Sequence, residues 1–276
     1  MMTKTALVTG ASSGIGEATV RALLADGYQV FAGARRLERM APLAALGAKI
    51  LLLDLADDAT IVSAVDTVEK SAGRLDVLVN NAGYGAYGAV EDVPLAEARR
   101  LFEVCVFGLG RLTQLALPIM RGQRAGRIVN VGSMGGRFGE PFAAWYHAAK
   151  FAVEGLSDCL RMEAAPFGVS VIVIEPGTIR TEFNRTASDS LMRASGETAY
   201  GPYARRHARM LAWNEASFVP SSPEGVARTI ARAVRAKRPK ARYPTGAAAR
   251  PMLFLRGIAP DRVFDSIMWR ISQSFG

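Results

Sequence analysis

Tyr146 and Lys150 stand four residues apart in a stretch that reads as helix, so their side chains share one face. An ammonium held beside a phenol favours the phenolate and lowers its pKa from about 10. That is what a tyrosine needs in order to give or take a proton near neutrality. Ser133 follows an apolar strand and adds a hydroxyl that can hold a carbonyl or alcohol oxygen. A Tyr-x-x-x-Lys pair by itself is common and more often structural, so its weight depends on what surrounds it.

A second constellation is the turn Thr9-Gly10-Ala11-Ser12-Ser13-Gly14-Ile15-Gly16. It follows a short apolar strand and opens a helix. Glycines there permit a tight turn and a close backbone approach, and the helix N-terminus offers free N–H groups to a pyrophosphate. This predicts a dinucleotide site. Eighteen residues after Gly16, at the end of the second strand, an NAD(H) site carries an acid for the ribose hydroxyls. This chain has Ala34, Arg35 and Arg36 instead. A neutral residue followed by two guanidinium groups suits a 2′-phosphate, so NADP(H) is expected ahead of NAD(H). The alternative is that both arginines are only solvated.

Strands and helices alternate around these residues. Strands are expected at 5–9, 29–34, 49–53, 76–79, 127–131 and 169–174, with a seventh at 241–243. Helices are expected at 17–25, 37–46, 60–72, 95–121, 143–165, 223–237 and 262–272. Several strands are apolar on both faces (LLL at 51–53, VIVI at 171–174), as buried parallel strands are. The alternation predicts an α/β fold: a doubly wound, mostly parallel seven-stranded Rossmann sheet with helices on both faces, in one domain over 1–276. Ligands of such a sheet bind at the carboxyl ends of its strands. Periodicity weakens over 178–223, where Phe183, Leu191, Met192, Tyr200, Tyr203, Met210, Leu211, Trp213 and Phe218 are spread among polar residues. A substrate lid is expected there, and a C-terminal extension over 244–276. In 262–272, Val263, Phe264, Ile267, Met268 and Ile271 define the apolar side of a core-packing helix.

Composition narrows the function classes. Half of the 276 residues are apolar and 21% are charged, which excludes disorder. Two cysteines, Cys105 and Cys159, exclude a disulfide scaffold; both lie in apolar stretches and are expected as buried free thiols in a reducing compartment. His147 and His207 lack the spacing of a zinc site, so no metal is expected. No run approaches a membrane span and no signal peptide is visible, so a cytoplasmic location is expected. The formal charge of +9 comes from scattered basic residues, which favours a solvated basic surface over nucleic-acid binding.

The motifs, in order, resemble those of the short-chain dehydrogenase/reductase family, in its shorter single-domain form. TGASSGIG at 9–16, NNAG at 80–83, Ser133, YHAAK at 146–150 and PG at 176–177 carry the resemblance, which spans the chain; 151–163 and 174–183 look closest to the steroid- and retinol-dehydrogenase-like branch. The resemblance implies roles. Tyr146 would be the acid/base, Lys150 would lower its pKa and bind the nicotinamide ribose, and Ser133 would position the substrate oxygen. Gly10, Ser12, Ser13, Gly14, Ile15 and Gly16 would line the phosphates, with Arg35 and Arg36 at the 2′-position. Asp54 and Leu55 would meet the adenine. Asn80, Ala82 and Gly83 would lie along the ribose and support the central strand. Pro176, Gly177, Ile179 and Thr181 would cover the nicotinamide side. The family commonly pairs through two long helices, here 95–121 and 143–165, which implies a homodimer or homotetramer.

One position departs from the pattern. The phrase at 102–108 reads FEVCVFG, and Cys105 stands where the family usually has an Asn that helps hold a water in the proton relay. A thiol is a poor hydrogen-bond partner, which implies a weaker relay, or else Cys105 is a small buried filler. His147 follows Tyr146 and is expected to point about 100° away from it, with no part in the chemistry. The expected activity is NADP(H)-dependent interconversion of a small lipophilic alcohol and its ketone or aldehyde. The alternative is an NADP(H)-binding sensor or scaffold with weak turnover.

Overall fold

The computed structural model describes residues 3–216 and 221–275. Phe218 of the expected lid lies outside the described residues. Seven strands form one sheet: β1 (Thr5–Thr9), β2 (Gln29–Ala34), β3 (Lys49–Leu52), β4 (Val77–Asn80), β5 (Gly126–Val131), β6 (Val169–Pro176) and β7 (Arg242–Thr245). Their spatial order is β3-β2-β1-β4-β5-β6-β7, and every neighbouring pair is parallel. The order reverses between β1 and β4, so a crevice opens at their carboxyl ends. The residues expected to do chemistry cluster there.

The central strands bury both faces, which is why they read as continuous apolar runs. On one face, α1 (Gly14–Ala25) and α9 (Pro223–Arg235) pack Val20, Leu23, Val226 and Ile230 against Val8, Val79 and Ile172. On the other, α3 (Asp58–Ala72), α5 (Gly108–Gln123) and α6 (Ala144–Ala164) bring Val65, Leu112 and Leu160 onto Leu7, Leu78 and Ile128. The short helix α2 (Ala41–Ala44) closes the β2–β3 connection.

The expected helix at 95–121 is α4 (Leu95–Phe102) and α5 joined by a π-helical turn, Glu103–Phe107. By length and composition alone an 18-residue window within Leu95–Gln123 passes for a membrane span, with a mean hydropathy of 1.3, although charged residues interrupt the stretch and no unbroken apolar run reaches that length. Here Leu101, Leu109, Leu112, Ala116 and Met120 of that stretch are buried in the protein's own core.

The region expected as a lid is helical, not irregular, over its described residues: α7 (Phe183–Ser195) and α8 (Gly201–Ala216) pack on each other and both line the crevice. After β7 come α10 (Ala249–Ile258) and α11 (Asp261–Gln273). The buried side of α11 is Phe264, Met268 and Ser272, whereas Val263 and Ile271 are exposed, so the apolar face expected from sequence is turned by part of a turn. Cys159 is exposed on α6, against the expectation of burial; Cys105 is buried.

An ion cluster fixes α6 to the sheet edge. Arg242 on β7 donates to Glu154 Oε2 at 2.9 Å and to Asp158 at 2.7 Å, and lies 3.6 Å from Glu175. Glu154 and Glu175 are buried, and burial pushes both carboxyls above the usual range. Arg242→Ala removes the main counter-charge from two buried acids, so it is expected to destabilise the chain by about 3 kcal/mol. Urea unfolding would show this as a lower midpoint at an unchanged slope.

Candidate active site

The Gly-rich turn leaves β1 with Gly10 at φ +66°, a conformation open chiefly to glycine. A Cβ on Gly16 would collide with the Gly10 carbonyl oxygen, so α1 presses directly on the turn. Ser13 caps α1 without a side-chain hydrogen bond, and the first-turn N–H groups face the crevice mouth unblocked. Thr9 Oγ1 accepts from the backbone N–H groups of Asn81 and Ala82, each at 2.9 Å, and Asn81 Nδ2 donates to Thr9 O at 3.0 Å. These bonds lock the ends of β1 and β4 together.

A cavity of about 460 Å³ runs along these strand ends. Gly10, Ser12, Ser13, Gly14 and Ile15 line one end, with Arg35 and Arg36 beside them. Arg36 Nη2 lies 3.3 Å from Ser12 Oγ and 3.9 Å from Glu182, while Arg39 takes the closer ion pair with Glu182 at 3.0 Å. Asp54 and Leu55 form the wall next to the arginines. Ala82 and Gly83, after β4, and Pro176, Gly177, Ile179 and Thr181, at and after the end of β6, line it as well. Ser133, Tyr146 and Lys150 stand at the deep end.

Two of the expected lining residues lie outside the cavity wall. Gly16 sits beneath the turn as a packing contact. Asn80 is buried, its Nδ2 donating to Asn130 Oδ1 at 2.9 Å and lying 3.2 Å from Thr113 Oγ1, because a strand-end side chain pointing into the sheet's helix layer must find partners there. Its neighbour Asn81, which sequence reasoning passed over inside NNAG, lines the cavity instead.

Lys150 is buried, and its ammonium donates to the Val131 carbonyl at 2.9 Å. Burial lowers its pKa. The ammonium stands 5.8 Å from the centre of the Tyr146 ring. Burial pushes the Tyr146 phenol well above its ordinary value, and the hydrogen bond with Ser133 offsets only part of that. The phenol therefore departs from the expected lowering: desolvation dominates and favours its protonated, donating form. Cys105 lies in the π-turn near both groups. A Cβ placed on Gly83 would be 3.3 Å from its Sγ and 3.9 Å from Lys150 Nζ. π-turns within α-helices are frequent at functional sites.

Sequence reasoning missed a polar group beside Tyr146. Glu140 Oε1 accepts from the Tyr87 hydroxyl at 2.9 Å and lies 3.7 Å from His147 Nε2. His147 lines the cavity, correcting the expectation that it points elsewhere; its Nδ1 bonds to the Phe138 carbonyl, and its ring meets that of Tyr146 edge-on at 5.7 Å. Burial pushes Glu140 up, but His147, His207 and Tyr87 together outweigh it and bring the carboxyl down to about 2. The contribution of this group to stability is thus present above the ordinary carboxyl value and lost as pH falls toward about 2. Wild type is expected to lose stability relative to Glu140→Gln over that interval, measured as unfolding midpoints against pH.

Comparison with known proteins adds four findings. A family model described as short chain dehydrogenase matches residues 4–191. A probable short-chain type dehydrogenase/reductase of Helicobacter pylori is 33% identical over 95% of each chain. A protein of Ornithobacterium rhinotracheale named NADPH-dependent 3-dehydrocapnine reductase is 34% identical over 96% of each chain. The crystal structure of a short-chain dehydrogenase from Streptomyces avermitilis superimposes with a TM-score of 0.78 at 33% identity, covering 99% of this chain and 98% of that one.

Proposed function

The chain belongs to the short-chain dehydrogenase/reductase family of oxidoreductases, and from that premise we propose that it is NADP(H)-dependent and interconverts a lipophilic alcohol with its ketone or aldehyde. The observation that carries the reading is the convergence of Ser133, Tyr146 and Lys150 at the deep end of a cavity whose other end is a glycine turn flanked by arginines. That other end fits a dinucleotide. The uncapped N-terminus of α1 suits a pyrophosphate. Arg35 and Arg36, with no acid at the end of β2, suit a 2′-phosphate, and one relative is named as NADPH-dependent.

When bound, the cofactor supplies or accepts the hydride. The chain's own residues handle the oxygen and its proton. Ser133 holds the substrate oxygen. Tyr146, protonated in its buried setting, donates its proton to that oxygen during reduction and takes it back during oxidation. Lys150, fixed by Val131, places a positive charge beside the phenolate left after donation, which lowers the cost of that charge in a dry site. Tyr87, Phe138, Phe183, Met210 and Leu211 give the deep end an apolar wall, which is the support for a lipophilic substrate. Consumption of NADPH, followed by absorbance, with a panel of aliphatic ketones and aldehydes tests the reading. Turnover with NADPH and at least one carbonyl compound is expected; NADPH binding with no turnover across the panel counts against it.

A second reading, an NADP(H)-binding sensor with weak turnover, draws on Cys105. The thiol sits beside Lys150, where a stronger hydrogen-bonding group would serve a proton relay. On that reading Cys105→Asn raises kcat severalfold. On the enzyme reading, steady-state kinetics of the variant show kcat within about twofold of wild type.

A further inference from the structure

The carboxylate of Glu140 is one of the few charged groups in an otherwise apolar deep end. Its side chain is only 17% exposed. Oε1 is occupied by the Tyr87 hydroxyl. Oε2 makes no hydrogen bond to the described residues, and His147 Nε2, at 3.7 Å, is too far for one to Oε1. His147 Nε2 is buried without a hydrogen-bond partner and its residue lines the same cavity. Buried polar atoms are rarely left unpaired, so those in a cavity wall point to a polar ligand group.

We propose that Glu140 forms an ammonium subsite, so that the substrate is an amino ketone or amino alcohol whose protonated amine lies close to the carbon that exchanges hydride. The inference rests on the oxidoreductase reading and names its substrate class. The position follows from the rings: Tyr87 bonds Glu140 and sits 5.9 Å from the Tyr146 ring, while His147, 3.7 Å from Glu140, packs 5.7 Å from Tyr146. A substrate oxygen at Tyr146 therefore has the carboxylate within one side chain's reach. Charge selects the group. A neutral donor would bond the carboxylate but leave its charge to His147, which balances it only when protonated and from 3.7 Å, whereas an ammonium both bonds and balances it. The other charged groups facing this end do not take that role. Lys150 is committed to Val131 and lies beyond Tyr146. Neutral His207 is turned to Ser272, 2.8 Å away. His147, when protonated, neutralises Glu140 through space, and an arriving ammonium displaces that proton. The carboxyl's depressed pKa keeps it ionised at neutral pH.

The test compares three long-chain ketones at pH 7, identical except for an amine, a hydroxyl or a hydrogen on the carbon next to the carbonyl. In wild type, kcat/KM for the amino ketone is expected to exceed the other two at least tenfold. In Glu140→Gln the ratio of amino to plain ketone is expected to fall at least tenfold, and Glu140→Asp is expected to restore part of it. An unchanged ratio in Glu140→Gln overturns the subsite, as does a hydroxy ketone that matches the amino ketone. Affinity of wild type for the amino alcohol and its deaminated counterpart, read by calorimetry with NADP present, needs neither turnover nor a folded variant. Tenfold tighter binding of the amino alcohol without turnover keeps the subsite and removes the oxidoreductase reading. Equal affinities remove the subsite whether or not plain ketones are reduced.

Discussion

Tyr146→Phe is expected to lower kcat by roughly 10²–10⁴-fold, the usual contribution of a positioned proton donor. The ring stays and the hydroxyl goes. The neighbours that hold the ring, Tyr87, His147 and Phe183, are untouched at 5.9, 5.7 and 5.2 Å. NADPH affinity is therefore expected within a few-fold of wild type, and so is stability. Removing the hydroxyl deprives the substrate oxygen of its proton only as the carbon–hydrogen bond forms, so the loss falls on kcat and kcat/KM together rather than on KM. Stopped-flow binding of NADPH beside steady-state turnover separates the two. A variant that keeps more than a tenth of wild-type turnover would mean that the proton comes from elsewhere. The Glu140–His147 pair, 3.7 Å apart and packed against the same ring, is then the nearest source.

The second large effect belongs to the arginines. Arg35→Ala/Arg36→Ala is expected to weaken NADPH binding by roughly 10–100-fold, as the loss of one or two charge-assisted hydrogen bonds to a phosphate would. NADH binding is expected to change little, because the 2′-phosphate is the group in question. Both side chains are solvent-exposed, so the effect should shrink as salt is raised. Arg36 also lies 3.9 Å from Glu182, which Arg39 already neutralises at 3.0 Å. Glu182→Gln is therefore expected to leave the NADPH preference intact, and fluorescence titration of both nucleotides measures all three proteins. Equal loss for NADPH and NADH in the double variant would assign the arginines to general packing.

The legible parts of this chain are those in which local pattern and tertiary role coincide. The run at 171–174 is apolar because β6 sits between two helix layers, and that is visible without a structure, whereas the run at 51–53 ends the edge strand β3, where Leu52 is exposed, so the same pattern overstates burial there. The turn at 9–16 is visible because only glycine tolerates Gly10's backbone and the approach of α1 at Gly16. The helices lining the crevice are hidden for a physical reason. The buried face of α7 is Asn184, Ala187, Ser190, Leu191 and Ser195, three of them polar, so only one large apolar side chain marks its core side. Its anchoring is polar. Ser190 Oγ both accepts from Tyr87 N and donates to Tyr87 O at 3.1 Å, and Ser195 Oγ accepts from Ala89 N at 2.9 Å. No sequence period reports such bonds. Glu140 was hidden in another way. It sits in no motif and becomes significant only when Tyr87, 53 residues away, closes over it. The raised pKa of Tyr146 is also a tertiary effect, since the Tyr-x-x-x-Lys spacing does not carry the depth of burial.

The central claim is hydride transfer to a carbonyl carbon with the proton supplied by Tyr146. Reduction of a ketone with NADPH deuterated at the transferring position, followed by mass spectrometry of the alcohol, tests it most directly. The account predicts one deuterium on the carbinol carbon with wild type, and at least about a hundredfold less labelled alcohol with Tyr146→Phe over the same interval. An alcohol without deuterium, or equal labelling with both proteins, would contradict it.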